Sequence, residues 1–268
     1  MNTSAFFGLP HGRLGNQLFQ LSLLFALSRR FGYDFYLPHN GEPIWDCFDL
    51  EVPAKGPECP HRFDEVNGSC NYDPGVLEQP DGTSYHGYFQ FYRYFEEDKA
   101  DLLRFLQFRF KYRALCETVL FELRRRHRLP LAAVHVRRDD YLHPWNFERF
   151  GDLAAYGYYD RAFEAIGDGV VYLVFSDDIE WCRRSFDLER VEFIGLDHCT
   201  SLCLMTRCDV MAIANSSFSW WGAYLNPGAE VYAPSRWFGP DTPPPNNVQN
   251  DIVPPTWHRI PAFGDQAQ

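Results

Sequence analysis

The phosphate grips most readily read from sequence are missing from this chain. It has no G-x-x-x-x-G-K-[ST] run and no G-x-G-x-x-G, and its single G-x-G, Gly167 to Gly169, lacks a third glycine. D-x-D, a common metal grip for sugar nucleotides, is absent as well. Among eight cysteines there is no C-x-x-C pair, and no basic-then-apolar leader opens the chain. No apolar run reaches the roughly 18 residues of a membrane-spanning helix. An excess of positive charge is also lacking. The net charge of −11 excludes a general nucleic-acid surface and any overall attraction to acidic membranes. An anionic ligand would have to be held by a local basic cluster.

What is present is core material and pattern. The 268 residues suffice for one large or two modest domains, and 46% are hydrophobic. Cys199 and Cys203 stand four apart beside Leu202, Leu204 and Met205, a helical apolar pattern. With Cys208 and His198 nearby, they read as small buried hydrophobes rather than zinc ligands. A reducing, cytosolic setting fits this usage, and the sequons at Asn2, Asn67 and Asn215 carry weight only in a secreted chain.

The two halves differ. In the first, Leu14, Leu18, Leu21 and Phe25 form one helix face, with Arg29 and Arg30 in the last turn and Gly32 as the stop. Residues 40–82 are rich in Pro, Gly and Asp and give no regular element. "DKADLLRFLQFRF" and "RALCETVLFELRRRH" are predicted helices, and Arg124, Arg125 and Arg126 read as a solvated helix end. From Leu131, "LAAVHV", "VVYLVF", "VEFI", "VMAIA" and "EVYA" are short apolar strands. They alternate with helical stretches near 156–166, 178–188, 198–207 and 218–226, which implies a parallel sheet covered on both faces. Pro227 to Pro261 is proline-rich, and "PPPNN" at 243–247 reads as an exposed connection or tail. The boundary between lobes is set at 128/129.

Three of those strands end in polar clusters: "HVRRDD" from His135, "SDD" from Ser176 and "NSS" from Asn215. Ligands of open parallel sheets bind beyond the strands' carboxyl ends, so the clusters are expected to share one site. Arg137 and Arg138 stay charged at working pH, and their forks suit phosphate oxygens. Ser216 and Ser217 precede the helix "FSWWGAYL". They are either a plain N-cap or part of a phosphate cradle at a helix start, and the two roles are compatible. Asp177 either offers acceptors matching the adjacent N–H donors of a guanine edge or caps the next helix, the cap being the safer reading for Asp178. His135 is either a satisfied core histidine or a contact to the base. In "GRLGNQLFQ", Gly12 and Gly15 permit a tight turn, and Asn16 and Gln17 either cap the helix or reach towards a ligand. Tyr88, Phe89, Trp145, Tyr158 and Trp220 are candidate sugar-facing rings, although Trp220 and Trp221 are better explained as core.

Together "GRLGNQLFQ", "GYFQFYRYF", "HVRRDDY", "FSDDIEWC" and "IANSSFSWWGAYLNP" resemble, in that order, the signature stretches of the α-1,2-fucosyltransferase family (glycosyltransferase family 11, inverting). "YYDRA" and "APSRWF" fit too, and the likeness covers about residues 8 to 240. It implies an α/β, GT-B-like architecture of two Rossmann-like lobes. Residues 1–128 would be the acceptor-side lobe and 129–268 the GDP-fucose lobe. It implies L-fucose transfer from GDP-fucose to the 2-OH of a terminal β-galactoside in a bacterial surface glycan, with no required metal or other cofactor. By that resemblance Arg137 holds the β-phosphate with Arg138 in support, and His135 and Asp177 address the guanine. Ser216, Ser217 and Phe218 present donors to the diphosphate, and Arg13 and Asn16 line the sugar side. The acceptor's proton goes to Asp140 or His143, unless Asp140 instead orients Arg138. The resemblance departs at Asp139, where glycine is usual. It also implies a cytoplasmic enzyme without a membrane anchor, brought to the membrane surface only peripherally, as by a lipid-linked acceptor. Another linkage or acceptor, and a non-catalytic glycan- or nucleotide-binding module, are the competing readings.

Overall fold

The computed structural model describes residues 5–7, 12–39, 41–65, 72–239, 242 and 252–264. These form two compact units. One runs to Arg109 and includes Ile252, and the other begins at Phe110.

The first unit contains β1 (Ala5–Phe7), α1 (Leu14–Phe31), β2 (Phe35–Tyr36), α2 (Pro43–Cys47), β3 (His61–Asp64), β4 (Thr83–His86) and α3 (Lys99–Phe105). Its strands form a parallel sheet in the order β2-β1-β4-β3. Helix α1 is buried along most of its length, including Leu14, Leu18 and Leu21. It stops where expected: Gly32 takes φ 69° and donates its N–H to Ser28 O. The stretch 40–82, read as irregular, contains α2, β3 and a 3-10 helix over Pro74–Glu78. Strand β3 is an edge strand of sequence His-Arg-Phe-Asp, exposed except at Phe63. An edge needs neither alternation nor an apolar run, so nothing in its pattern announced it.

The second unit holds α4 (Phe110–Arg126), β5 (Leu131–Val136), α5 (Pro144–Phe150), α6 (Tyr158–Ile166), β6 (Val171–Ser176), α7 (Ile179–Ser185), β7 (Val191–Ile194), α8 (His198–Met205), β8 (Val210–Ala212), α9 (Ser217–Tyr224), β9 (Glu230–Pro234) and β10 (His258–Ile260). The expected boundary at 128/129 falls instead before α4. That helix buries Tyr112, Cys116, Leu120 and Leu123 and packs on α8. Strand β10, within the segment read as a tail, adds a parallel edge beside β9. The "PPPNN" stretch and the sequons at Asn2 and Asn67 lie outside the described residues.

All pairings in this sheet are parallel, in the order β7-β6-β5-β8-β9-β10. Counted from β5, that is 3-2-1-4-5-6, the doubly wound arrangement whose order reverses between its first and fourth strands. The reversal therefore lies between β5 and β8, which pair from Ala132↔Val210 to Val134↔Ala212. Strand β5 is buried at all six positions. A strand covered on both faces reads as an unbroken apolar run, which is why its bounds were legible to the residue.

Candidate functional site

The crevice at the strand-order reversal is built from the segments that leave β5 and β8. Arg137 is the first residue beyond β5. Its Nη1 lies 2.8 Å from Asp177 Oδ2 and its Nη2 2.5 Å from Asp140 Oδ1. Its guanidinium carbon stands 5.3 Å from the Tyr141 ring centroid. Tyr141 in turn stacks on Phe150, with centroids 4.2 Å apart, and donates its hydroxyl to Asn215 O at 3.0 Å. The fork is thus fixed from three sides.

Arg138 is held differently. Its Nη1 reaches Asp152 Oδ2 at 3.1 Å, its Nε lies 3.6 Å from Asp178 Oδ2, and its guanidinium sits 3.8 Å over Trp181. Its backbone N–H donates to Asp177 Oδ1. Asp178 caps α7 by accepting from Trp181 N, as expected. Arg138 is thus tied to α7 and to Asp152, whereas Arg137 is tied to Asp140 and Asp177. Asp140, considered as a partner of Arg138, pairs with Arg137 instead. Asp152 and Trp181 were missed as site residues: Asp152 is fourteen residues away with no motif around it, and Trp181 read as part of a helix.

Across the reversal, Ser216 is the N-cap of α9 and makes no side-chain capping bond. Ser217 opens the helix and Phe218 is next, its ring 5.6 Å from that of His135. Asn215, buried, donates to Phe150 O and Trp237 O, both at 2.9 Å. It locks the β8–α9 turn to the end of α5 and to the segment after β9. The start of α9 supplies backbone N–H groups and the positive end of its dipole, which favour an anion.

His135 is buried, and its Nδ1 has no hydrogen-bond partner. Burial, reinforced by the Arg137 charge, lowers its pKa to about 3, so the ring is neutral at ordinary pH. Burial raises the Asp177 carboxyl above its usual range, against the pull of Arg137, and the Asp139 charge adds to the rise. Asp139, Asp140 and Asp177 bring carboxylate oxygens within 4.8 Å of one another. His143 is exposed and is the N-cap residue of α5.

In the first unit, Gly12 takes φ 74°, and a Cβ there would lie 2.3 Å from Asn16 Nδ2, so the turn needs glycine. Asn16 Oδ1 accepts from Gln90 Nε2 at 2.6 Å, joining the "GRLGNQLFQ" and "GYFQFYRYF" segments. Gln17 is fully buried. It donates to Gly12 O and Glu42 Oε2 and accepts from Ile44 N, which makes it a brace between α1 and α2. Arg13 is exposed at the helix start. Of the candidate rings, Phe89, Tyr158 and Trp220 are fully buried, as is Trp221. The Tyr158 hydroxyl is used on Ile213 O at 2.6 Å. These are core residues. Trp145, 71% exposed, remains open to a ligand. Cys203 faces Cys116, and Cys208 Sγ donates to Leu204 O.

Over residues 4–259 the chain matches the family described as glycosyl transferase family 11. It is 27% identical to the galactoside alpha-(1,2)-fucosyltransferase 2 of Oryctolagus cuniculus over 250 residues, 87% of this chain and 70% of that protein. It is 32% identical to the O-antigen biosynthesis glycosyltransferase WbnK of Escherichia coli over 120 residues, 40% of this chain and 38% of that protein. An alpha-1,2-colitosyltransferase of Escherichia coli is 36% identical over 120 residues, 40% of each chain. The matches thus span well under half the length of the two bacterial relatives. Among solved structures, the fucosyltransferase NodZ from Bradyrhizobium aligns with TM-score 0.54 and 16% identity, covering 85% of this chain and 94% of that one. NodZ alpha-1,6-fucosyltransferase co-crystallized with GDP gives TM-score 0.56 at 16% identity, covering 85% and 93%. The likeness to NodZ is one of fold, the GT-B arrangement of two parallel α/β lobes. With the "HVRRDDY", "FSDDIEWC" and "IANSSFSWWGAYLNP" stretches at strand ends of one doubly wound sheet, and a family match over nearly its whole length, the chain belongs to glycosyl transferase family 11.

Proposed function

We propose that this protein transfers L-fucose from GDP-fucose to the 2-OH of a terminal β-galactoside, inverting the anomeric centre, in the assembly of a bacterial surface glycan. The observation that carries the reading is that the end of β5, which bears Arg137, is tied across the reversal to the turn into α9, through Tyr141 on Asn215 O and the His135 ring beside that of Phe218. The relatives named for α-1,2 transfer and for O-antigen synthesis support the linkage and the setting.

As the sugar's anomeric C–O bond breaks, negative charge grows on the leaving β-phosphate oxygen. A donor aimed at growing charge lowers the barrier by about 2.7–4 kcal/mol. Arg137 is assigned that role, with the N–H groups at Ser217 and Phe218 completing the cradle. Arg138 is a positioning residue: it holds Asp177 through its backbone and the start of α7 through Asp178 and Trp181. His135 and Phe218 are assigned to the base. The neutral, unpartnered imidazole Nδ1 offers one polar atom there. Asp140, already bound to Arg137, orients the fork. This supports His143 as the group that takes the acceptor's proton. Arg13 and Asn16 are assigned to the sugar. No step needs a divalent ion.

The test is to supply GDP-fucose with lactose or a defined galactoside and determine the product linkage by NMR. An α-1,2-fucosyl product is expected. Another linkage would replace the specificity, and GDP binding without product would replace catalysis by a binding role. The alpha-1,2-colitosyltransferase relative favours one variation on the reading, colitose in place of fucose as the sugar transferred. A parallel assay with a donor of that sugar measures it.

A further inference from the structure

Helix α4 carries a surface that the transfer reaction does not use. Its inward face is Tyr112, Cys116, Leu120 and Leu123. Phe110 and Phe121 are eleven residues apart, three turns and about 20° at 3.6 residues per turn, so they share one stripe opposite that face. They are 76% and 66% exposed, unusual for phenylalanine. Ala114 and Glu117 lie between them, both exposed. Arg113 and Arg124 flank the stripe on one side, and Arg125 and Lys111 on the other.

The charge on this face opposes that of the whole chain. From Phe110 to Arg128 there are six lysines and arginines and two carboxylates, in a protein of net charge −11. Both carboxylates are paired: Glu122 with Arg125 and Glu117 with Arg207. Arg126 is paired with Glu192. Arg113, Arg124 and Arg128 have no ion-pair partner among the described residues, and all three are exposed.

We infer that this face of α4 is a docking surface for an anionic lipid bilayer. Two aromatic side chains standing proud of a basic helix face match a headgroup layer over hydrocarbon: the rings enter the acyl boundary while the guanidinium groups meet lipid phosphates. The charge complementarity selects this occupant over a second copy, because two such faces would bring like charges together. The net charge of −11 gives no general attraction to an anionic surface, so a local basic face would set how the protein meets it. The inference does not rest on the proposed reaction.

The purified full-length protein is sedimented with vesicles of phosphatidylcholine alone and of phosphatidylcholine with about one third phosphatidylglycerol. Binding at least about tenfold stronger to the anionic vesicles, reduced by added salt, is expected. Phe110→Ser with Phe121→Ser should lose most of it, and so should Arg113→Glu with Arg124→Glu. Both variants should keep the wild-type thermal midpoint and GDP binding, since the altered side chains are exposed. Equal partition into both vesicle types, or full binding by both double variants, would overturn the inference. So would a concentration-dependent dimer in light scattering that Phe121→Ser dissolves while vesicles bind nothing; that result would reassign the face to a second copy.

Discussion

At the scale of single residues, the proposed site sets carboxylates against a phosphate for one guanidinium. Arg137 is engaged by Asp140 and Asp177, and Asp139 adds a third negative charge nearby. A diphosphate has to displace or share with these groups. Removing the exposed member should help it. Asp139→Gly is expected to tighten GDP binding by about two- to fivefold, the size of one exposed charge interaction, as read by isothermal titration calorimetry. Unchanged or weaker binding would show that Asp139 points away from the ligand.

His135 yields a second expectation, on stability. Its folded pKa, about 3, lies below the unfolded value near 6.5. Above that unfolded value neither state binds the proton. As pH falls, the unfolded state takes it up first, so stability is present above pH ~6.5 and drains away towards pH ~3, on the order of 5 kcal/mol in all. Urea midpoints measured across this window should fall steeply for the native protein and less steeply for His135→Leu. Parallel curves would contradict the burial argument. The places of the arginines, Asp177 and the serines beyond the ends of β5, β6 and β8 were legible in the sequence, because apolar runs that stop at polar clusters mark strand ends. Asp152 was not, because its partner is found only once the chain has turned back on itself.

At the scale of elements, the geometry depends on how the turn into α9 is held. Asn215 spends its side-chain amide on Phe150 O and Trp237 O. Asn215→Leu leaves both carbonyls without that donor and should cost about 1–3 kcal/mol, seen as a lower urea midpoint. It should also weaken GDP binding, because the start of α9 loses its anchor. Destabilisation without any change in GDP affinity would mean that the turn and the ligand are independent. Elements buried on both faces, such as β5 and β6, were readable directly from their apolar runs. The edge strands β3 and β10 and the short helix α5 were not. β3 and β10 gain their backbone partners from one side only, and α5 is largely exposed, so their sequences need satisfy little beyond solubility.

At the scale of the whole molecule, the strand order could not be read from the sequence at all. Alternating strands and helices predicted a parallel sheet, but it is the order 3-2-1-4-5-6 that puts β5 beside β8, and so the segment after β5 beside the turn into α9. The polar clusters were visible one by one; their convergence is a property of topology. Net charge misleads at this scale too, since −11 hides the basic face of α4. Because the proposed site draws its positive charge from guanidinium and helix N–H groups, turnover is expected to persist in excess EDTA. A loss restored by Mn²⁺ would reject that assignment.

The central claim, that Arg137 stabilises the departing diphosphate, is tested most directly by the kcat of Arg137→Ala on GDP-fucose, with the thermal midpoint recorded alongside. The account predicts a fall of about 10²–10³ in a protein that still folds, and little recovery in Arg137→Lys, which lacks the planar fork. Turnover near the wild-type rate in a folded Arg137→Ala protein would contradict it.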